Sequence, residues 1–331
     1  MRPALVVVAY IAIASAGCKG RNVPSGPPPE VTGLAAVPVT AQVIIGADVA
    51  KLSASPIVGK AVEQLLMRDQ ELSDSWSHVV DNCKIDLTKQ IEHVMLALGP
   101  AGVGAVGTGP VLMVATGKVS EPDLASCVRT MVGKGGGSLT SRTVGGRTLY
   151  LVKDGNRTMH FGFGRADTIV LGTDEAWVTD ALSAGKKVTD NAEMMGWLKQ
   201  VDQRSPVFAV GKVDDRTSSG LAKSSGGQLT KGPVAFVASM DPTSGAKVLL
   251  GVIMPDAASA KQLESFAKGE LSLLAGVAQM KSLGTIANKV QLATVDNQLK
   301  FTASLSMDEV NQLLSVLDEP APPAQVTPPA Q

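Results

Sequence analysis

The sequence predicts an α+β protein made of two divergent units, each an antiparallel sheet with helices packed on one face. Segments 138–144, 147–152 and 157–163 are joined by Gly-Gly and Asp-Gly turns, which is typical of an antiparallel meander. Segments with apolar residues at helical spacing lie on either side of this meander. A similar order of strands and helices returns later in the chain, where 206–213 resembles 42–49.

The first unit is placed at residues 40–200. It begins with a strand at 42–49, and a helix follows that starts at Ser55-Pro56. A further helix is predicted over 86–98, because Asp86 can cap it and apolar residues recur there every three or four positions. The unit continues with a strand at 111–116, a helix capped by Ser120, the meander, a strand at 168–172 and a helix capped by Thr173 or Asp174.

The second unit is placed at residues 201–318. Segment 218–232 is rich in Gly and Ser, which predicts an exposed loop where the first unit has its long helix. A long amphipathic helix is predicted from Asp256, and Ser306 with Glu309 forms a capping box that starts the last helix. The predicted strands of this unit are 206–213, 234–239, 246–254, 290–295 and 299–305.

The first eighteen residues have the build of a bacterial export signal. Arg2 supplies a positive charge, 4–14 is an uninterrupted apolar run, and Ser15-Ala16-Gly17 brings small residues up to Cys18. The Ala-Gly-Cys ending resembles the lipobox of bacterial lipoproteins, in which the cysteine thiol is acylated, although that family usually has Leu where this chain has Ser15. We therefore expect lipid attachment at Cys18. The alternative is an ordinary cleaved signal in which Cys18 has no role.

Both ends of the mature chain are predicted to lie outside the folded body. Residues 19–39 are rich in Pro, Gly and Ser, and such a segment runs extended as a tether. Residues 319–331 form a second Pro-rich stretch, which predicts a disordered tail. We therefore expect the protein in the cell envelope, anchored to a membrane by lipid and facing the periplasm or the cell surface.

The composition restricts the classes of partner. The chain has 331 residues, 44% of them hydrophobic and 18% charged, which predicts a folded protein. Its formal net charge is zero, and this argues against a nucleic-acid partner, which would require an excess of Lys and Arg. No second apolar run approaches the length of a membrane helix, so we expect a soluble body after export.

Two cysteines remain if Cys18 carries lipid. An even pair in an oxidising compartment predicts a disulfide between Cys83 and Cys127. In the chain-entropy model such a loop would stabilise the fold by about 4 kcal/mol. The alternative is two buried free thiols, each acting as a small hydrophobic side chain.

The sequence offers no recognisable catalytic or metal site. The histidines are His78, His93 and His160, and their spacing with Cys83 matches no zinc pattern, so we expect no metal and no cofactor. There is no Gly-x-Ser-x-Gly elbow and no P-loop. The acidic pairs Asp174-Glu175 and Asp214-Asp215 are explained by turns and helix starts. We therefore expect no catalytic residues.

The layout resembles that of surface lipoproteins of unknown function from high-GC Gram-negative bacteria, particularly myxobacteria. The resemblance rests on the Cys18 ending, the Pro-rich tether, the strand at 43–49 and the Ser55-Pro56 helix start. It implies a lipid-anchored envelope protein but carries no activity, so it assigns no site residue.

The leading hypothesis is therefore a non-enzymatic binding or scaffold module, anchored to a membrane and contacting an unidentified envelope protein. A first alternative is a periplasmic carrier of a lipid or other apolar ligand, because Met- and Leu-rich helices over a sheet could part to form a cavity. A less favoured alternative is an envelope hydrolase. A solid core would count against the carrier.

Overall fold

The structure is a computed structural model that describes residues 31–100, 109–280 and 284–317. The predicted signal peptide with Cys18 and the predicted tail at 319–331 lie outside the described residues. Within the described ranges, no helix combines the length and the apolar character needed to cross a bilayer.

Twelve strands form in the described part of the chain, and each pairs antiparallel with its neighbours. The strands are β1 (Val43–Asp48), β2 (Ile91–Leu98), β3 (Val111–Gly117), β4 (Ser138–Val144), β5 (Arg147–Asp154), β6 (Arg157–Arg165), β7 (Thr168–Gly172), β8 (Val207–Lys212), β9 (Ala235–Asp241), β10 (Ala246–Ile253), β11 (Gln291–Val295) and β12 (Gln298–Leu305).

Helices fill the connections between these strands. They are α1 (Val49–Ser53), α2 (Pro56–Arg68), α3 (Gln70–Asp81), α4 (Leu87–Gln90), α5 (Glu121–Lys134), α6 (Glu175–Leu182), α7 (Ala192–Leu198), α8 (Asp215–Ser224), α9 (Ala257–Met280), α10 (Gly284–Ala287) and α11 (Met307–Leu317). Short 3-10 turns lie at Gly33–Ala36 and Val188–Asp190.

All of these strands join one sheet, in the order β11-β12-β10-β9-β8-β1-β2-β3-β7-β6-β5-β4. The first strands of the two predicted units, β1 and β8, pair at the centre, with Ile44 opposite Val210. The prediction of an α+β protein with antiparallel strands is therefore confirmed. The sheet itself runs without a break across the predicted boundary at 200/201.

Helices cover both faces of the sheet, so the prediction of helices on one face was wrong. Leu112 and Val114 of β3 face a core that includes α6 and α7, and we call this side the central face. Met113 and Ala115 of the same strand point to the opposite side, beneath α5, which we call the cavity face. Inner strands of this kind are apolar on both sides, and both sides must be covered.

The helix predicted over 86–98 is the main local error. Asp86 does cap a helix, accepting a hydrogen bond from the amide of Thr88, but α4 ends at Gln90 and β2 begins at Ile91. Strand β2 lies between β1 and β3 and contributes to cores on both faces. A strand that is apolar on both faces can by coincidence have apolar residues three or four positions apart, as a helix does. The sequence alone therefore cannot distinguish a helix from a strand here.

Two further segments differ from the prediction. Part of the predicted exposed loop at 218–232 belongs to helix α8, which begins because Asp214 accepts a hydrogen bond from the amide of Thr217. Residues 31–39, predicted as the end of the tether, belong to the body, since Ala36 and Val37 are fully buried in the central-face core.

Other predictions of local structure are confirmed. Strands β4, β5 and β6 form the meander with turns at Gly145-Gly146 and Gly155, and these three glycines have positive φ. Ser306 and Glu309 form the predicted capping box at α11, where the Ser306 amide donates to Glu309 Oε2 over 2.8 Å.

Candidate functional site

A cavity of about 510 Å³ lies on the cavity face of the sheet, within the first half of the chain. Its floor consists of alternate residues of β2, β3, β7, β6 and β5. Its roof consists of α3, α5 and the segment 82–88, which runs from the end of α3 into α4, and Val49 adds to one side. A volume of this size falls in the range of about 300–1,000 Å³ that is typical of small-molecule sites.

The floor is an apolar surface, because the register of the strands places their apolar side chains opposite one another in rows. Met113 lies opposite Leu171, and Leu171 lies opposite Phe161. The Phe161 ring stacks on Tyr150, with ring centroids 4.5 Å apart and planes inclined by 9°. The Tyr150 hydroxyl donates to Glu121 at the start of α5 over 2.9 Å, and burial together with this carboxylate raises the tyrosine pKa.

The roof leaves space above this floor because α3 has α2, rather than a strand, as its main neighbour. Trp76 and Val79 on α3 point toward the cavity. Helix α5 contacts β4 and β5, and Leu124, Val128 and Met131 form its stripe toward the sheet. The two helices therefore cover the floor without filling the space between them.

A disulfide ties the two parts of the roof together. The sulfur atoms of Cys83 and Cys127 are bonded at 2.01 Å, and the Cα atoms lie 5.1 Å apart. Cys127 lies on α5, whereas Cys83 lies in the turn after α3 rather than on a helix stripe. The bond therefore fixes the C-terminal end of α3 to the middle of α5.

At the opposite end of the cavity the lining is partly exposed. Met159 of β6 lines the cavity, and 38% of its surface is exposed. The other apolar residues of the described lining are buried or half-buried. Next to Met159, Arg157 on β6 approaches Glu71 on α3, with 3.8 Å between guanidinium and carboxylate. We call this end of the cavity, at Met159, Arg157 and Glu71, the mouth.

The chemistry of the wall is almost wholly apolar. None of the described residues that line the cavity carries a formal charge, and Thr88, at the end away from Met159, is the one with a hydroxyl. Such a wall can hold a hydrocarbon, because burial of apolar surface stabilises the complex by roughly 25 cal/mol per Å². The described lining includes no His, Asp, Glu or Lys side chain and no free thiol that could act as an acid, a base or an activating group for a nucleophile.

A second cleft of about 460 Å³ lies on the central face and has a different character. Its floor is apolar, with Met95 and Phe208, but its rim carries Asp48, Lys51 and Arg204. The Lys51 ammonium is engaged, since it lies 2.9 Å from Asp48 and donates to the Arg204 carbonyl oxygen over 2.9 Å. These contacts explain the charged rim as part of the packing of α1 against the loop before β8.

The structure separates the three histidines. His78 lies on α3 and contacts Asn82, and His93 is exposed on β2. His160 points to the central face and is 5% exposed, with its Nδ1 atom 4.0 Å from Glu175 Oε2. Burial lowers the pKa of His160, with Asp174 opposing and Arg142 reinforcing the shift. Across the described residues, no cluster of His, Cys, Asp and Glu could hold a metal ion.

The acidic pairs act as helix starts. Asp174 caps α6 by accepting from the amide of Trp177, and Glu175 pairs with Arg142. Asp214 caps α8. The predicted lipid-attachment residue, Cys18, lies outside the described residues, and its acylation stays a prediction.

The cavity itself was not located from the sequence, although its Met- and Leu-rich helices were noted. Its floor comes from five strands in two separate stretches of the chain, β2-β3 and β5-β6-β7. Met113 and Phe161, which both line it, are brought together by the pairing of β7 with β3 and β6. The part of the cavity that the sequence does indicate is the apolar stripe of α5, formed by Leu124, Val128 and Met131. Cys127 lies beside this stripe, and its partner cysteine is 44 residues away.

No protein-family model matches this chain, and no curated protein matches it. Among solved structures, the chain is similar to one described as "Structure of crystal form I of TP0453", with a TM-score of 0.45 and 11% sequence identity. The similarity covers 87% of this chain and 96% of that chain. A likeness at this level supports no inference about function.

Proposed function

We propose that this protein is a non-enzymatic binding protein of the cell envelope that holds an apolar ligand in the cavity on the cavity face. The single observation that carries this proposal is a cavity of about 510 Å³ whose described lining carries no formal charge. Protein interiors are normally close-packed, whereas the apolar residues of this lining leave a space between them that an apolar ligand would fill. The carrier hypothesis is therefore favoured over a scaffold whose core would be solid.

The proposal is tested by native mass spectrometry after incubation with a long-chain fatty acid, a probe with one hydrocarbon chain and one polar end. We expect an adduct of one fatty acid per protein that is lost on denaturation. Substitution of Ala115, on the cavity floor, by Leu should reduce this adduct because the larger side chain occupies the space. Recovery of bare protein alone at saturating probe would overturn the proposal.

We also propose that the protein is attached to a membrane through an acylated Cys18. The support is the sequence alone, namely the apolar run at 4–14 and the small residues before the cysteine. Intact mass of the protein purified from its own membranes tests this. The expected mass is that of the chain from Cys18 onward plus lipid, less two hydrogen atoms for the disulfide. A bare chain that starts elsewhere would contradict the anchor.

Finally, we propose that residues 40–200 and 201–318 are divergent copies of one unit that share a sheet. In each half three strands run outward from the centre, as β1-β2-β3 and β8-β9-β10. A helix follows the third strand, and the strand that later pairs beside it, β7 or β12, leads into a helix with acidic residues in its first turn. Hydrogen exchange in increasing urea should show two sets of amides, one for each half, with separate midpoints. A single midpoint would contradict two units.

A further inference from the structure

We infer that the ligand is a single-chain amphiphile that enters the cavity tail first through the mouth and leaves its polar end beside Glu71 and Arg157. This inference rests on the proposed function and adds to it the chemical class of the ligand and its orientation. It follows from the unequal ways in which the two ends of the roof are held.

At one end the roof is fixed by a covalent bond. The Cys83–Cys127 disulfide joins the segment after α3 to α5, and Ile85, two residues from Cys83, is buried in the same apolar cluster. Ile91 closes the floor there and is also buried. Widening this end would require breaking a covalent bond or exposing buried apolar side chains. Thr88, which also lines this end, is exposed, but the covalent bond and the buried side chains hold the opening there fixed. This end is therefore the higher-cost route for a ligand.

At the other end the roof is held by a contact that opens easily. The Glu71 and Arg157 side chains are 84% and 82% exposed, and 3.8 Å separates their charged groups. Exposed ion pairs of this kind contribute little to stability, because water screens both charges. Met159 and Trp76, which line the cavity beside this pair, are not fully buried. The mouth is therefore the low-cost route into the cavity.

The charges at the mouth indicate what stays outside. Thr88 is the one described lining residue with a hydroxyl, and it is exposed at the end away from the mouth, so the buried wall is apolar and the buried part of the ligand is hydrocarbon. At the mouth, Glu71 offers an acceptor and Arg157 offers donors, and both groups keep contact with water. Asp154 lies near them, at the end of β5 in the pair with Arg157. The polar end of a ligand, whether it donates or accepts hydrogen bonds, therefore finds a partner at the mouth. Inside the cavity the same group would be buried without a hydrogen-bond partner.

The orientation can be read from two methionines. Met159 lies at the mouth, on β6. Met113 lies on β3, which is two strands away from β6, or about 10 Å across the strands of the sheet. Protein labelled with ¹³C at its methionine methyl groups is mixed with a straight-chain probe that carries a nitroxide at its polar end. We expect the Met159 signal to broaden more than the Met113 signal, and the reverse with the nitroxide near the methyl end of the chain. Assignments come from the Met159→Leu and Met113→Leu variants.

The route is tested by exchange kinetics with a matched pair of variants. Arg157→Ala removes the contact at the mouth and should raise the rate of fatty-acid release about two- to fivefold, the effect of losing one exposed ion pair. Lys118→Ala is the control, because Lys118, just after β3, and Glu92 on β2 form an exposed pair of similar length, 3.9 Å, away from the mouth. Release from this variant should match that of the unmodified protein.

Each outcome separates the inference from the proposed function. If neither probe binds, the proposed function fails. If the probes bind but the polar-end nitroxide broadens Met113 as strongly as Met159, the cavity is a ligand site and the orientation is wrong. If Lys118→Ala speeds release and Arg157→Ala does not, the ligand enters from the other end, which overturns the inference in the same way.

Discussion

Filling the cavity with a larger side chain should stabilise the free protein, which is the opposite of what such a change does in a packed core. Ala115 lies in the middle of β3 and is 3% exposed, with its methyl group directed into the cavity. Ala115→Leu adds three carbon atoms in a place where space already exists. Burial is worth about 0.8 kcal/mol per methylene group, so the upper limit of the gain is about 2.4 kcal/mol.

The expected gain is smaller than this limit because one end of the cavity is open. We expect the free energy of unfolding of Ala115→Leu to rise by about 1–2 kcal/mol, after allowance for the rotamer entropy of the new side chain. Urea unfolding of the oxidised protein, followed by circular dichroism and fitted by linear extrapolation, measures this change. The measurement is made without ligand, since a bound ligand would stabilise the unmodified protein selectively.

Ala97 supplies the matched control. It lies on the neighbouring strand β2, is fully buried and belongs to the central-face core. Adding the same three carbon atoms at Ala97→Leu overfills a packed region, which typically costs about 1–3 kcal/mol. The two variants should therefore change stability in opposite directions. If both destabilise the protein by similar amounts, the space above Ala115 is not available and the carrier proposal loses its basis.

Three further predictions concern the disulfide, a close contact in the sheet and a buried histidine. Replacing Cys83 and Cys127 by Ser should lower the free energy of unfolding by about 4 kcal/mol, because the bond closes a loop spanning a separation of 44 residues. Gly46→Ala should cost about 1–3 kcal/mol in urea unfolding, because a Cβ atom there would lie 2.1 Å from the Phe208 ring. His160→Gln should flatten the loss of stability between about pH 7 and pH 5, because burial lowers the pKa of His160, and the unfolded chain, with a histidine pKa of about 6.5, takes up a proton that the folded protein resists.

Each of these predictions has a control or an outcome that would contradict it. Dithiothreitol should destabilise the unmodified protein but leave the double serine variant unchanged, and equal sensitivity would contradict the assigned bond. Gly59 on α2 has no atom near its missing Cβ, so Gly59→Ala should stabilise by about 0.5–1 kcal/mol. For the buried histidine, a His160→Gln variant that loses as much stability between pH 7 and pH 5 as the unmodified protein would contradict the burial argument.

The elements that follow from local chemistry were the ones that could be predicted. Glycines with positive φ at 145, 146 and 155 fix the meander, and the hydroxyls of Ser120 and Ser306 fix the starts of α5 and α11. These signals depend on neighbouring residues only. These turns and helix starts therefore form independently of how the strands pair in the sheet.

The arrangement of the sheet could not be predicted in the same way. Whether 91–98 is a helix or a strand depends on β1 and β3 lying on either side of it, and those partners are distant in sequence. The presence of helices on both faces of the sheet could not be predicted for the same reason. Strands β2 and β3 are buried on both sides, so their sequences show no alternation of polar and apolar residues. Long-range pairing, rather than local propensity, decided these segments.

The candidate site was foreseen in part. The pairing of Cys83 with Cys127 was predicted because an even pair of cysteines remains in an oxidising compartment, and the apolar stripe of α5 was predicted from its spacing. A cavity under such helices was one of the alternatives. Its position required the register that places Met113, Leu171 and Phe161 in one row. The mouth required the approach of Glu71 to Arg157, a contact between residues 86 positions apart in the sequence, which no local pattern encodes.

The most direct test of the central claim, that the cavity holds a hydrocarbon chain, is quenching of Trp76 fluorescence by a straight-chain fatty acid with bromine atoms in its chain. Trp76 lines the cavity, whereas Trp177 and Trp197 lie in the core of the other face, beyond contact with a chain in the cavity. We predict saturable quenching with a stoichiometry of one that Trp76→Phe abolishes and Ala115→Leu weakens. Quenching that persists unchanged in Trp76→Phe, or no quenching at saturating probe, would contradict the account.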